Sequence, residues 1–306
     1  MARECKANGA LPMIAYHHTL TVIDNDSPAQ FALHKALQLA KKTHSKVTAL
    51  KIDHPNGNLL TRLGLIPNNA LDPMLFVKKL LAKYQRQGVE VEIKNIEKTK
   101  DHVALIKETK AGNYDLIMIN NQHRSAILNE FIPSCEAHLL RDCELPIMIV
   151  GNKSWQRHGH ILTALETSNS QIEHSKLNQC LLDDSQQLAS LLDNDIHLVN
   201  CYQTENWSMS VERRKDLITD EEQKKQHWAR LLNSAKSYHL ADDHLHLEQG
   251  LPDHVIPSVA NQCDANLLII GAGEHHGVIS DLKGHTSCAI VDELKCDILA
   301  IKPQLH

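Results

Sequence analysis

The chain carries two copies of one pattern, and this repeat constrains its fold more than any other feature. The run Asp115–Ile119 is matched by Asn266–Ile270, 151 positions later, and Pro146–Val150 is matched by Asp297–Ile301 at the same spacing. A repeat of this length is typical of a duplicated domain, because solenoid repeats are only about 20–50 residues long. The chain has 306 residues, which is room for two domains of about 150 residues each. We therefore predict one domain over residues 1–150 and a second over 151–306, joined by the polar stretch 151–158.

Each copy alternates short apolar runs with amphipathic segments of helical length. In the first copy, the apolar run His18–Ile23 precedes a segment reaching about Thr43, whose apolar residues recur at helical spacing. Strands that alternate with helices predict right-handed βαβ units and a parallel sheet covered on both faces. The runs 147–150 and 267–270 are apolar throughout, as in strands that are buried on both faces. The sequence thus predicts an α/β fold of two tandem, doubly wound, Rossmann-like parallel-sheet domains.

Composition excludes several classes of protein. The formal net charge is −5 and the isoelectric point is near 6.5, so the basic surface of a nucleic-acid-binding protein is not expected. No stretch approaches the ~18 consecutive apolar residues of a membrane-spanning helix. The eight cysteines include no Cys-x-x-Cys pair, which favours a reduced, cytoplasmic protein.

The fold class directs attention to the loops that follow the strands. In open parallel sheets, ligands bind beyond the carboxyl ends of the strands. Those positions include the acids Asp24 and Glu166 and the loops after Asn120 and Gly271. The chain has neither the Gly-x4-Gly-Lys-Ser/Thr phosphate loop nor the Gly-x-Ser-x-Gly nucleophile motif. We therefore predict a binding protein with no catalytic residues.

The chain contains 21 histidines, and two groups of them raise the question of a metal site. The segment Glu274–His276 together with His285 offers carboxylate and imidazole groups, which are zinc ligands. No His-x3-His or paired-cysteine spacing supports coordination there, so a solvated loop is predicted. His244 and His246 share one face of a predicted strand, and solvation is predicted for them too. The sequence therefore predicts no metal site.

Longer stretches resemble a known family. The segment Asp264–Pro303 closely resembles the carboxyl-terminal end of universal stress protein domains. The opening of the first copy, Val22-Ile23-Asp24 before a helix, is similar to the same family, and residues 250–257 and 113–116 resemble its tandem, E-type branch. The resemblance implies that the two domains pair through their last strands as an internal pseudo-twofold dimer. It leaves further homodimerisation open.

Members of this family that bind ATP carry the phosphate loop Gly-x2-Gly-x9-Gly-Ser/Thr. Its glycines allow close approach of the backbone, and amides at the next helix N-terminus face the anion. The second copy keeps Gly271 and Gly284 at these positions, but it has Glu274 for the middle glycine and His285 for the hydroxyl residue. Because Glu274 adds a negative charge where a triphosphate would lie, ATP binding in the second domain is expected to be weak or absent.

The first copy departs further from the family loop. Asn120, His123 and Pro133 replace all three motif glycines. Proline also lacks the amide hydrogen that such a loop supplies. The first domain is therefore expected to have lost phosphate binding.

The resemblance implies a cytoplasmic stress-response module that binds a small ligand, with ATP as a weak ligand of the second domain. One alternative is a non-nucleotide, amphipathic ligand held in a cleft that lacks the phosphate contacts. Another is slow, metal-dependent nucleotide hydrolysis that uses Glu166. The candidate ligand contacts are the acids after the first strands, the position that lines the family's adenine pocket, and the loop: Asp24, Glu166, Cys201, Gly271, Ala272, Gly277, Gly284, His285 and Thr286.

Overall fold

The chain divides into two compact units between Asn152 and Lys153, called here the first and second domains. The structure is a computed structural model. It describes residues 16–24, 29–53, 73–97, 100–121, 135–167, 172–202, 220–272 and 294–302.

The first domain contains a five-stranded parallel sheet in the order β3-β2-β1-β4-β5. Its strands are β1 (His18–Val22), β2 (Lys46–Asp53), β3 (Glu90–Glu97), β4 (Leu116–Asn120) and β5 (Ile147–Val150). The described helices are α1 (Phe31–Thr43), α2 (Pro73–Gln85), α3 (Asp101–Ala111) and α4 (Cys135–Asp142).

The second domain repeats this topology with the strand order β8-β7-β6-β9-β10, again all parallel. Its strands are β6 (His160–Ala164), β7 (Asp195–Tyr202), β8 (Leu245–Gln249), β9 (Ala265–Gly271) and β10 (Asp297–Ile301). The described helices are α5 (Ile172–Leu192), α6 (Asp220–Lys236) and α7 (Pro252–Gln262), with a 3₁₀ turn at Asp242–His244. The predicted fold class, two tandem α/β parallel-sheet domains, is confirmed. The sequence also predicts a helix over 285–293, and that segment lies outside the described residues.

The apolar runs of the sequence form the central strands. Every residue of β5, β9 and β10 is buried, which explains why these strands show no alternation of apolar and polar residues. Helix α1 buries Leu33, Ala36, Leu37 and Ala40 on one side, the spacing of an apolar helical stripe. With few aromatic residues available, aliphatic side chains fill the core of both domains.

The polar stretch after β5 is anchored to the second domain. The indole Nε1 of Trp155 donates a hydrogen bond to Asp297 Oδ2 at 2.7 Å, and the Gln156 amide donates to Asn266 Oδ1 at 3.1 Å. Lys153 also pairs with Asp264 at 3.3 Å. Lys153, Trp155 and Gln156 of the polar stretch 151–158 are therefore attached to the second domain.

Among the helices that the structure describes, none is both long and apolar enough to cross a membrane.

Candidate ligand-binding site

In both domains a side-chain amide holds the backbone of the acid that follows the first strand. The Asp24 amide donates to Gln30 Oε1 at 3.0 Å, and Gln30 Nε2 donates back to the Asp24 carbonyl at 2.7 Å. In the second domain, the Glu166 amide donates to Asn178 Oδ1 at 3.4 Å, and Asn178 Nδ2 donates to the Glu166 carbonyl at 2.8 Å. Each loop is thus fixed at its acid by a reciprocal pair of hydrogen bonds from the following helix region.

A polar network holds the same loop of the second domain from the other side. Asn200 Nδ2, on β7, donates to the Leu165 carbonyl at 2.8 Å. Asn200 Oδ1 accepts hydrogen bonds from the Thr167 hydroxyl at 3.0 Å and from His227 Nδ1 at 2.9 Å. Arg230 Nη1 donates to the Thr167 carbonyl at 2.6 Å, so α6 contributes a positive charge to the loop that carries Glu166.

His227 is a neutral member of this network. Burial, and then the charge of Arg230, lower the pKa of His227 below its usual value. The ring is therefore neutral at pH 7, and Asn200, which is 2% exposed, has its buried amide satisfied. No motif singles out these residues. The one signal in the sequence was Asn200 itself, a polar residue on the buried side of an apolar strand.

The ends of β4 and β9 differ between the domains. In the first domain, Asn120 ends β4, and its Oδ1 accepts a hydrogen bond from the amide of Ala32 in the first turn of α1 at 2.7 Å. In the second domain, β9 ends at Gly271, which has no side chain, and the next amide, of Ala272, donates to the Ile301 carbonyl at 2.8 Å. In the first domain, the Ala32 amide at the start of α1 is therefore already hydrogen-bonded to Asn120. The corresponding residue of the second domain, Gly271, has no side chain that could accept such a bond.

Cys201 lies near the end of β7, opposite Glu248 of β8. Burial, followed by the charges of Glu248 and Asp253, raises the pKa of the thiol to about 12. The thiol is therefore protonated at neutral pH, and Cys201 is a neutral side chain rather than a nucleophile.

The structure brings only some of the candidate residues to one edge. Glu166, Cys201 and Gly271 lie at or just beyond the carboxyl ends of β6, β7 and β9, which are neighbours in the sheet. Ala272 follows directly and is 2% exposed. Asp24 belongs to the first domain. The remaining candidates, Gly277, Gly284, His285 and Thr286, lie outside the described residues.

Comparison with known proteins identifies the family. The model of the universal stress protein family matches residues 15–151 and again 171–302. The chain belongs to the universal stress protein family. Universal stress protein E of Escherichia coli strain K12 is 26% identical over 96% of this chain and 96% of its own length. Universal stress protein E of Photorhabdus laumondii is 25% identical over 95% of this chain and 96% of its own.

Solved structures agree with the fold. The crystal structure of a functionally unknown protein from Pseudomonas aeruginosa PAO1 has a TM-score of 0.73 at 22% identity, covering 94% of this chain and 93% of that one. The family model matches this chain twice, so two universal stress protein domains are present in tandem. The family and its tandem arrangement, predicted from the sequence, are thus confirmed.

Proposed function

We propose that this universal stress protein is a stress-response module that binds a small ligand at the carboxyl edge of its second domain, with weak or no binding of ATP. The observation that carries this proposal is the contrast between Asn120 and Gly271. In the first domain, the Ala32 amide at the start of α1 already donates to Asn120, and a helix-N-terminal amide of this kind is what binds a phosphate.

The second domain favours a ligand because its loop is fixed and β9 ends in a glycine. The reciprocal bonds of Asn178 and the network of Asn200 hold the loop around Glu166, so little ordering is needed when a ligand binds. The glycine at position 271 permits close approach of a ligand to the backbone.

The charge pattern argues against tight ATP binding. Glu166 and Glu274 place carboxylates after β6 and in the loop after β9. A carboxylate and a phosphate group of ATP carry like charges, and two like charges about 4 Å apart repel by roughly 4 kcal/mol at an effective dielectric of about 20. A non-nucleotide ligand of lower charge avoids this repulsion.

The same proposal places the protein in the cytoplasm, without catalytic activity. The six cysteines that the structure describes are free thiols, as in a reducing compartment.

Calorimetric titration of the full chain with Mg-ATP tests the proposal. Gly284→Val is expected to abolish binding, because the added side chain blocks approach of the backbone to phosphate, and Pro133→Ala in the first domain is expected to leave the affinity unchanged. Equal loss from both substitutions would overturn the asymmetry. If the native chain binds no nucleotide at millimolar concentration and native mass spectrometry shows a co-purifying lipid-like mass, the ligand is not a nucleotide. Release of phosphate from Mg-ATP would instead establish a hydrolase.

A further inference from the structure

Four histidines and a cysteine of the second domain meet at the amino ends of the strands, the opposite edge from the ligand-binding site. His160 opens β6 and His197 lies in β7. His244 ends the 3₁₀ turn before β8, and His246 is the second residue of β8. Cys263 directly follows α7. All five side chains are half-buried. Solvation was predicted for His244 and His246, and the structure differs because β7 and the end of α7 cover them.

The rings pack against one another around His197. The centroid of His197 is 4.7 Å from that of His160, 4.3 Å from that of His244 and 5.3 Å from that of His246. Within the described residues, His160 Nδ1 and His197 Nε2 are buried without a hydrogen-bond partner. Buried polar atoms without a partner are costly, and two of them lie in this one cluster.

Three ligand atoms of this cluster have the spacing of a coordination sphere. His197 Nδ1 lies 3.1 Å from His246 Nε2, and His246 Nε2 lies 3.5 Å from Cys263 Sγ. All three atoms are within 4.8 Å of one another. A tetrahedral zinc ion with bonds of about 2.0–2.1 Å to nitrogen and about 2.3 Å to sulfur separates two nitrogens by about 3.3 Å, and nitrogen from sulfur by about 3.6 Å.

The first domain provides an internal comparison, since its strands have the same order and register. Leu20 pairs with Thr48 in the first domain, as Leu162 pairs with His197 in the second. Two residues further on, Leu50 pairs with Lys94, as Val199 pairs with His246.

The third ligand position differs in the same way. The residue that follows α3 is Gly112, and the one that follows α7 is Cys263. The side chains of His197, His246 and Cys263 therefore correspond to threonine, lysine and glycine in the first domain. The fold alone requires none of them.

Their protonation suits a metal ion. Burial, and then the neighbouring imidazoles His244, His160 and His246, lower the pKa of His197 to about 4. Burial also lowers the pKa of His246. A metal ion binds the neutral form of an imidazole and the thiolate form of a cysteine. Burial raises the pKa of the Cys263 thiol, so binding of a metal displaces one proton from sulfur to solvent and leaves a thiolate.

The geometry points to a zinc-class metal site in the second domain, formed by His197 Nδ1, His246 Nε2 and Cys263 Sγ. Imidazole and thiolate ligands are those that zinc prefers, and hard cations such as Mg²⁺ prefer oxygen. Three protein ligands leave a fourth position for water or for the adjacent His160. A metal ion bound there would connect the amino ends of β7 and β8 to the residue that follows α7.

Metal titration of the reduced, chelator-treated full chain tests this assignment. One Zn²⁺ per chain is expected to bind in competition with a chromophoric chelator, with a dissociation constant of micromolar or below. Co²⁺ is expected to give a tetrahedral visible spectrum and a thiolate-to-metal charge-transfer band. Cys263→Ser removes that band, and both Cys263→Ser and His246→Gln weaken Zn²⁺ binding at least 100-fold. Zn²⁺ raises the midpoint of thermal unfolding of the native chain but not of these variants.

Matched controls separate this site from the many other histidines and cysteines. Cys180→Ser and His254→Gln change the same residue types elsewhere in the second domain and are expected to leave the affinity for Zn²⁺ unchanged. Far-ultraviolet circular dichroism of each metal-free variant verifies that it is folded. The assignment is overturned if the native chain binds no Zn²⁺, or if folded Cys263→Ser and His246→Gln bind it as tightly as the controls do.

Discussion

At the scale of single residues, one ion pair of the first domain joins β3 to α3, and Tyr114 connects this pair to β1. Lys94 Nζ on β3 donates to Glu108 Oε1 on α3 at 2.6 Å, and the Tyr114 hydroxyl donates to the same oxygen at 2.6 Å. The Tyr114 ring packs against His18 with its centroid 4.4 Å away. Burial alone would raise the pKa of Glu108, but the hydrogen bonds from Lys94 and Tyr114 outweigh it and hold that pKa below its usual value.

The lowered pKa predicts a pH-dependent contribution to stability. Glu108→Gln is expected to reduce the free energy of unfolding at pH 7 by about 1 kcal/mol, since Lys94 is partly exposed and solvent screens the pair. Because the unfolded carboxyl titrates near pH 4.3, the difference between native and variant chains is full above that pH. It shrinks as pH falls through the lower pKa of the folded state. Urea unfolding at neutral pH and at about pH 3.5 measures it.

Glu90→Gln is the control for this prediction. Glu90 pairs with Lys46 at 3.3 Å, but its side chain is 72% exposed, so a change below about 0.5 kcal/mol is expected. A Glu108→Gln variant whose stability loss is the same at both pH values would contradict the explanation.

At the scale of elements, each domain ties the start of its fourth strand to the segment before its first strand. Asp115 Oδ2 accepts hydrogen bonds from the amides of His17 and His18 at 2.7 and 3.0 Å. Its counterpart Asn266 accepts from the Gln156 amide and also donates to the carbonyl oxygen of Gln156 and to Asn194 Oδ1, both at 2.7 Å. The same connection thus uses Asp115, which only accepts hydrogen bonds, in the first domain and Asn266, which both donates and accepts, in the second.

This difference predicts opposite tolerance to exchange of the two residues. Asn266→Asp places a carboxylate against two acceptor oxygens, and the variant is expected to lose about 2 kcal/mol of unfolding free energy. Asp115→Asn keeps an acceptor oxygen for both amides and is expected to lose 1 kcal/mol or less. Chemical denaturation of both variants measures the two losses, and equal losses would contradict the assigned hydrogen-bond roles.

At the scale of the whole molecule, the duplicated domains differ at the carboxyl edges of their sheets while keeping one strand order. The pairing of the domains through β5 and β10 as a pseudo-twofold dimer stays a prediction of the family resemblance. So does the boundary at residue 150, which lies close to the division of the chain after Asn152.

Restoring the family loop is expected to strengthen nucleotide binding by the second domain. The double substitution Glu274→Gly and His285→Ser removes a negative charge and returns a hydroxyl donor. One charge-assisted hydrogen bond contributes about 1.5–3 kcal/mol, so a gain of one to two orders of magnitude in affinity for Mg-ATP is expected at about 1.4 kcal/mol per tenfold. Calorimetry of the native and doubly substituted chains decides the point. No binding by either chain would show that the edge is shaped for another ligand.

The fold was predictable because its signals are local and repeated. The apolar runs at 147–150 and 267–270 and the spacing of 151 positions predicted the central strands and the duplication. The positions of Glu166 and Gly271 followed from the rule that ligands bind at the carboxyl ends of strands. The network of Asn200 with His227 and the cluster of His197 with Cys263 did not follow, because their members are far apart in sequence and meet only where α6 and α7 pack against β7 and β8.

The amide clamps on Asp24 and Glu166 have a consequence for how the two copies can differ. Gln30 and Asn178 bind the main chain and leave the identity of the acid unspecified. The same pair of main-chain hydrogen bonds therefore holds an aspartate in one copy and a glutamate in the other. The length of the acid can differ between the copies while this hydrogen-bonded turn is kept.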